Sequence, residues 1–137
     1  MLARNTKVDM IKHVPLFERC SKKNLQQVAS IADEIDVAEG RALTREGRTG
    51  YEFFVLVDGT ADVTQKGKRI RTLGPGDFFG EIALVSRIPR TATVTTTSPA
   101  RALVISAHDF RSLVDRSPAV ALQVLEAVAE RLPTAIQ

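Results

Sequence analysis

The sequence lacks the features that mark secreted and membrane proteins. No run of about 18 apolar residues occurs, so no transmembrane helix is expected. The first residues have neither the apolar core nor the cleavage site of a signal peptide. Cys20 is the only cysteine, which excludes an intramolecular disulfide. We therefore expect a cytoplasmic protein that makes no contact with membranes.

Nucleic-acid binding also has little support in the composition. The net charge is only +3, and the lysine and arginine residues are scattered rather than gathered in a dense run. The sequence has no tryptophan and one tyrosine, so an aromatic surface on which bases could stack is not expected. We expect no direct binding to DNA or RNA.

Histidine is scarce, and this limits the enzymes that the chain could be. His13 and His108 are the only two, and both lie in segments that we predict to be helical. A metal site with two or three histidines inside a β-barrel is therefore excluded. A serine or cysteine nucleophile needs a neighbouring base, and neither histidine is near the motif described below. We predict a binding protein without a metal, not an enzyme.

The glycines divide the middle of the chain into short segments. The length of 137 residues suits one domain. Seven short apolar or alternating segments with glycines in the gaps predict an all-β barrel or sandwich, and they cover residues 35–37, 41–44, 52–57, 60–65, 69–73, 91–96 and 101–105. Asp58-Gly59 and Lys66-Gly67-Lys68 are predicted hairpin turns.

Helical patterns lie on both sides of this region. They cover residues 5–13, 22–32, 107–115 and 119–132. Ser21 and Ser106 are predicted N-caps, and Pro133 is expected to end the last helix. We predict a single domain over residues 1–137, with N-terminal helices in 1–33, the β region in 34–106 and C-terminal helices in 107–132.

Residues 79–94, FGEIALVSRIPRTATV, are the part of the sequence that says most about function. Gly80 opens a short apolar turn, Ile82-Ala83-Leu84-Val85, and backbone N–H groups at the start of such a turn attract anions. Arg90 adds a permanent charge and a forked donor suited to phosphate. Glu81 would repel an anion, but its carboxylate can accept a hydrogen bond from a sugar hydroxyl. Together these residues suggest a site for a ribose phosphate.

The segment resembles the phosphate-binding cassette of the cyclic nucleotide-binding domain family, which includes the catabolite activator protein and the regulatory subunit of cAMP-dependent protein kinase. The family pattern, F-G-E-[LI]-A-L and then R-[ATS]-A-x-V, corresponds to residues 79–84 and 90–94. The order of helices and β segments is similar from residue 15 to residue 132. The resemblance implies a mainly β fold with flanking helices: an eight-stranded jelly-roll-like β-barrel, N-terminal helices, a short cassette helix and C-terminal helices.

The resemblance also implies roles for individual residues. Arg90 would bind the exocyclic phosphate oxygens, and Glu81 would accept from the ribose 2′-OH. Gly80 would let the backbone approach the sugar, and Ala83 would offer its N–H group to the phosphate. Thr91 and Ala92 would continue a strand beside the phosphate. The full expected ligand-binding set is Phe79, Gly80, Glu81, Ile82, Ala83, Arg90, Thr91 and Ala92.

The identity of the base stays open at this point. In several cGMP-responsive relatives a threonine follows the arginine, as Thr91 does here, but some cAMP-preferring relatives share it. We take cAMP as the first choice and cGMP as the alternative.

The resemblance implies signalling by movement of residues 81–85 and of the C-terminal helices. The effector is expected to be a domain or protein outside this chain. The competing interpretation is a barrel that no longer binds a ligand and serves as a protein-interaction module.

Overall fold

Eight β-strands form the centre of the part of the chain that the computed structural model describes, residues 4–84 and 86–130. They are β1 (Ala32–Val37), β2 (Ala42–Thr44), β3 (Glu52–Asp58), β4 (Ala61–Gln65), β5 (Lys68–Leu73), β6 (Phe78–Phe79), β7 (Thr93–Thr96) and β8 (Ala100–Ser106). Seven of them overlap the segments predicted from the sequence. The two-residue strand β6 was not predicted, because it is too short to show an alternating pattern.

The strands are arranged in two four-stranded antiparallel sheets. One sheet has the order β1-β8-β3-β6, and the other has the order β2-β7-β4-β5. The expected mainly β fold with flanking helices is therefore confirmed. The described strands do not close into a single barrel but remain two separate sheets.

The two predicted hairpin turns have different outcomes. Lys66 and Gly67 join the paired strands β4 and β5, and both have positive φ angles, 52° and 79°, as a two-residue hairpin turn requires. That prediction is confirmed. Asp58-Gly59, however, joins β3 in one sheet to β4 in the other. This turn is not a hairpin, and the prediction was wrong because the local turn signal does not tell which strands pair.

Four α-helices flank the sheets in the described residues. They are α1 (Arg4–Ile11), α2 (Lys22–Ile31), α3 (Ala107–Arg116) and α4 (Pro118–Glu130). Both predicted N-caps are confirmed, since the Ser21 hydroxyl accepts from the Asn24 N–H at 3.1 Å and the Ser106 hydroxyl from the Asp109 N–H at 3.0 Å. The predicted end of the last helix at Leu132 and Pro133 lies outside the described residues. None of these helices is long and apolar enough to cross a bilayer.

Strand β3 is buried on both faces and separates two apolar clusters. Phe53 and Val55 belong to a cluster shared with the helices, whereas Phe54 and Leu56 belong to a cluster between the two sheets. Alternate side chains of a strand point to opposite faces, so this division follows from the period of two. The helical cluster also contains Leu84, which ties the segment after Gly80 to the C-terminal helices.

A pair of neighbouring substitutions in α3 tests this assignment of the core. Leu113 is fully buried, whereas Val114 is 41% exposed. We expect Leu113→Ala to lower the free energy of unfolding by about 2–5 kcal/mol, because it leaves a cavity in the helical cluster. Val114→Ala should change it by less than about 0.5 kcal/mol. Urea unfolding of both variants measures the difference, and equal effects would contradict the packing of α3.

Candidate functional site

A cavity of about 670 Å³ lies beside the turn that follows Gly80. Its walls come from the cassette (residues 79–94), from β4 and β5, and from the segment that precedes β6. All eight residues of the predicted ligand-binding set line this cavity: Phe79, Gly80, Glu81, Ile82, Ala83, Arg90, Thr91 and Ala92. The structure thus brings the whole set to one place.

The Arg90 guanidinium is held by backbone carbonyl groups. Its Nη2 donates to the Glu52 carbonyl oxygen at 2.7 Å, and its Nη1 donates to the Gly80 carbonyl oxygen at 3.4 Å. The second bond is long and therefore weak. The guanidinium makes no salt bridge with any described residue. A cation whose partners are neutral carbonyls keeps its attraction for an anion that enters the cavity.

Burial and charge act on Arg90 in opposite directions. Partial burial lowers the pKa of the guanidinium, and the carboxylates of Glu52 and Glu81 oppose this by raising it. Arginine stays protonated in proteins at neutral pH, so Arg90 presents a permanent positive charge. Because that charge is partly removed from water, an anion that binds it would be attracted more strongly than at an exposed arginine.

Gly80 leaves the space that the guanidinium occupies. Its φ angle is +79°, a left-handed conformation that favours glycine. A Cβ at this position would lie 2.6 Å from Arg90 Nη1 and 2.8 Å from the Glu52 carbonyl oxygen. The glycine of the motif is therefore required both by its backbone angle and by the close approach of Arg90.

The segment after Gly80 forms a short 3₁₀ turn, Glu81–Leu84, which we call the cassette turn. Glu81 lines the cavity, and Ile82 is 43% exposed beside it. The Ala83 N–H, expected to be offered to a phosphate, donates to the Gly80 carbonyl oxygen at 3.1 Å in this structure. Val85, predicted to belong to the same turn, lies outside the described residues.

Thr91 and Ala92 line the cavity but do not belong to a strand. Strand β7 begins at Thr93, so the prediction that these two residues continue the strand was wrong. Their carbonyl groups are used by side chains instead: Gln65 Nε2 donates to Thr91 O at 3.0 Å, and Thr44 Oγ1 donates to Ala92 O at 3.2 Å.

Two residues of β5, Ile70 and Arg71, lie outside the predicted ligand-binding set but take part in the wall of the cavity. Val63 pairs with Arg71 and Thr64 pairs with Arg69, so Ile70 is the extra residue of a β-bulge in β5. A bulge can turn neighbouring side chains to the same side. Both Ile70 and Arg71 line the cavity, and nothing in the local sequence indicates such a bulge.

Residues 34–117 match the sequence profile of the cyclic nucleotide-binding domain, and the chain belongs to this family. The chain is 32% identical over 122 residues to a cyclic nucleotide-gated potassium channel of Rhizobium etli, a match that covers 89% of this chain and 34% of the channel. It is 32% identical over 106 residues to the cAMP-dependent protein kinase regulatory subunit of Yarrowia lipolytica, which covers 76% of this chain and 28% of that protein.

The fold of the chain is also similar to that of a solved regulatory subunit. The cAMP-bound PfPKA-R structure is 27% identical with a TM-score of 0.74, and the match covers 96% of this chain and 48% of the other. The chain spans about a third of the length of the channel and kinase relatives that it matches in sequence. These relatives are potassium channels and a regulatory subunit of a kinase, so the match is to one part of a larger protein.

Substitutions at two glycines with the same φ angle distinguish the cost of backbone strain from the cost of crowding at Gly80. Gly67 and Gly80 both have a φ angle of 79°, but a Cβ at Gly67 would meet nothing within 4 Å. We expect Gly67→Ala to cost about 1–2 kcal/mol of unfolding free energy, the usual penalty of the left-handed conformation. Gly80→Ala should cost about 1–3 kcal/mol more, because its Cβ overlaps Arg90 and the Glu52 carbonyl. Equal losses in urea unfolding would show that the space beside Gly80 is not filled as described.

Proposed function

We propose that this chain is the sensor part of a regulatory protein, and that it binds a 3′,5′-cyclic purine nucleotide without catalysing a reaction. One observation carries this proposal: Arg90, a permanent cation held only by backbone carbonyls and by no carboxylate of the described residues, lines a 670 Å³ cavity together with the carboxylate of Glu81. An anion receptor and a hydroxyl acceptor on the same cavity fit a ribose that carries a phosphate.

Two residues of the set make the polar contacts in this proposal. The Arg90 fork turns from the carbonyl groups of Glu52 and Gly80 to the exocyclic phosphate oxygens. Glu81 accepts from the ribose 2′-OH. Phe79, Ile82, Ala83, Thr91 and Ala92 supply the surrounding wall of the cavity. This rotation of the Arg90 side chain replaces two neutral acceptors by a charged one, and charged partners make the stronger hydrogen bonds.

We take cAMP as the first candidate ligand. The similar PfPKA-R structure holds cAMP, and the chain shares 27% of its residues with that protein. A related kinase regulatory domain, which is 26% identical, holds the cAMP analogue Sp-2Cl-cAMPS. These ligands belong to the relatives, and they support cAMP here only through the common family.

A specific observation favours cGMP as the second candidate. Arg71 lines the cavity from β5, which is separated from β7 by β4, and we propose that the base lies on this side of the cavity. An arginine side chain only donates hydrogen bonds. Guanine presents two acceptors on one edge, O6 and N7, whereas adenine presents one acceptor and one amino donor there. Arg71 is therefore better matched to guanine.

The signal is proposed to pass through the cassette turn to the C-terminal helices. Leu84 is buried in the same cluster as Phe110 and Leu113 of α3. The Ala107 N–H, at the start of α3, donates to the Tyr51 carbonyl oxygen at 2.7 Å, one residue before the carbonyl that holds Arg90. A nucleotide that binds one arrangement of these contacts more tightly shifts the population toward it. The effector that reads the shift is a domain or protein outside this chain.

Replacing Arg90 tests the proposed function directly. We expect calorimetric titration to show saturable binding of cAMP or cGMP to the unchanged chain. Arg90→Ala should weaken this binding by roughly 10- to 150-fold, because charged hydrogen bonds are worth about 1.5–3 kcal/mol. Arg87→Ala is the matched control, since Arg87 is exposed and does not line the cavity. If the unchanged chain binds neither nucleotide at millimolar concentration, the protein-interaction module becomes the better explanation.

Arg71→Ala distinguishes the two candidate bases. If Arg71 reads guanine, this change should lower the affinity for cGMP relative to cAMP by about 1–3 kcal/mol, roughly 5- to 150-fold. Arg69→Ala serves as the control, because Arg69 lies on the same strand but does not line the cavity. An equal loss of affinity for both nucleotides in competition titrations would mean that Arg71 contributes charge and does not read the base.

A further inference from the structure

A second glycine, Gly50, lies directly beneath the Arg90 guanidinium. A Cβ added there would lie 2.5 Å from both Cζ and Nη2 of Arg90. Real Cβ atoms essentially never approach another heavy atom closer than 3.0 Å. The φ angle of Gly50 is outside the left-handed region, so the backbone alone does not require glycine at this position. The missing side chain is required by Arg90.

The segment around Gly50 also fixes the backbone of Arg90. The Gly47 N–H donates to the Arg90 carbonyl oxygen at 2.8 Å, and the Arg90 N–H donates to the Arg48 carbonyl oxygen at 2.8 Å. Thr49 and Pro89 form an antiparallel bridge next to the second of these bonds. The Glu52 carbonyl oxygen also accepts a hydrogen bond from Arg90 Nη2. Residues 47–52 therefore contact both the backbone and the guanidinium of Arg90. We call these residues the Arg90 bracket.

We propose that Gly50 is a positioning residue for Arg90, the anion receptor. Because Gly50 has no side chain, the guanidinium can lie against the Arg90 bracket, and this contact sets the direction in which the guanidinium meets a phosphate. The proposal rests on the proposed function, because it takes the phosphate of a cyclic nucleotide as the anion. It assigns a role to a residue that lies 40 positions before Arg90, the arginine of the cassette. A guanidinium lifted by a methyl group would lose the alignment of its fork, on which paired phosphate contacts depend.

The expected behaviour of Gly50→Ala differs from that of an ordinary core change. The atoms that the new Cβ meets belong to the end of a flexible side chain, so Arg90 can move aside while the fold is kept. We therefore expect an unfolding midpoint close to that of the unchanged chain and roughly tenfold or greater loss of nucleotide affinity. Gly74→Ala is the matched control. Gly74, like Gly50, has a φ angle outside the left-handed region, but a Cβ there would meet nothing within 4 Å, and Gly74 does not line the cavity.

The test combines calorimetry with a spectroscopic signature of Arg90. Affinities for cAMP and cGMP are measured for the unchanged chain, Gly50→Ala and Gly74→Ala. The Arg90 Nε–H signal in ¹⁵N NMR spectra, assigned by its loss in Arg90→Ala, is recorded for the same nucleotide-free proteins. We expect Gly50→Ala, but not Gly74→Ala, to change the chemical shift of this signal and to weaken nucleotide binding. An unmoved signal, or affinity within about twofold of the unchanged chain, would overturn the proposal.

Two further outcomes remain informative. If the unchanged chain binds neither nucleotide, the proposed function fails, and the Arg90 signal alone decides whether Gly50 positions the guanidinium. If Gly50→Ala lowers the unfolding midpoint, the double variant Gly50→Ala/Arg90→Ala decides the cause. Recovery of the midpoint when Arg90 is absent would support the crowding of the guanidinium. A midpoint that stays low in the double variant would show that glycine is needed at position 50 for the backbone conformation and not for Arg90, and would overturn the proposal.

Discussion

Arg90 carries a permanent positive charge into a partly buried position, and the chain around it is arranged to accommodate that charge. Burying an arginine without partners is costly, so the guanidinium takes the carbonyl groups of Glu52 and Gly80. Those bonds are possible only because Gly50 and Gly80 have no side chains in the way. The exchange of these neutral acceptors for a phosphate is the physical basis of the proposed ligand binding.

The same region is packed against the helices that would transmit a signal. The cassette turn has three residues at the cavity, Glu81, Ile82 and Ala83, and one residue in the helical cluster, Leu84. Strand β3 is divided in a similar way between the two clusters. Because a close-packed interior transmits small displacements, a shift of the cassette turn changes the surroundings of α3 directly. In the proposed function, this contact couples ligand binding to the position of the helices.

Much of this arrangement could be predicted from local patterns. Glycine spacing located seven of the eight strands, two serines located the starts of α2 and α3, and the cassette motif named eight residues that line one cavity. Their contacts with a ligand stay predictions. The rest depends on distant parts of the chain. Asp58-Gly59 joins different sheets, Arg71 lines the cavity beside a bulge at Ile70, and Gly50 lies against an arginine 40 positions later.

The most direct test of the proposed function is a pair of crystal structures, one of the free chain and one with the nucleotide that binds more tightly. We expect Arg90 Nη2 to leave the Glu52 carbonyl and contact the exocyclic phosphate, Glu81 to contact the ribose 2′-OH, and α3 to change its position relative to β3. A nucleotide bound away from Arg90, or an identical position of α3 in both structures, would contradict it.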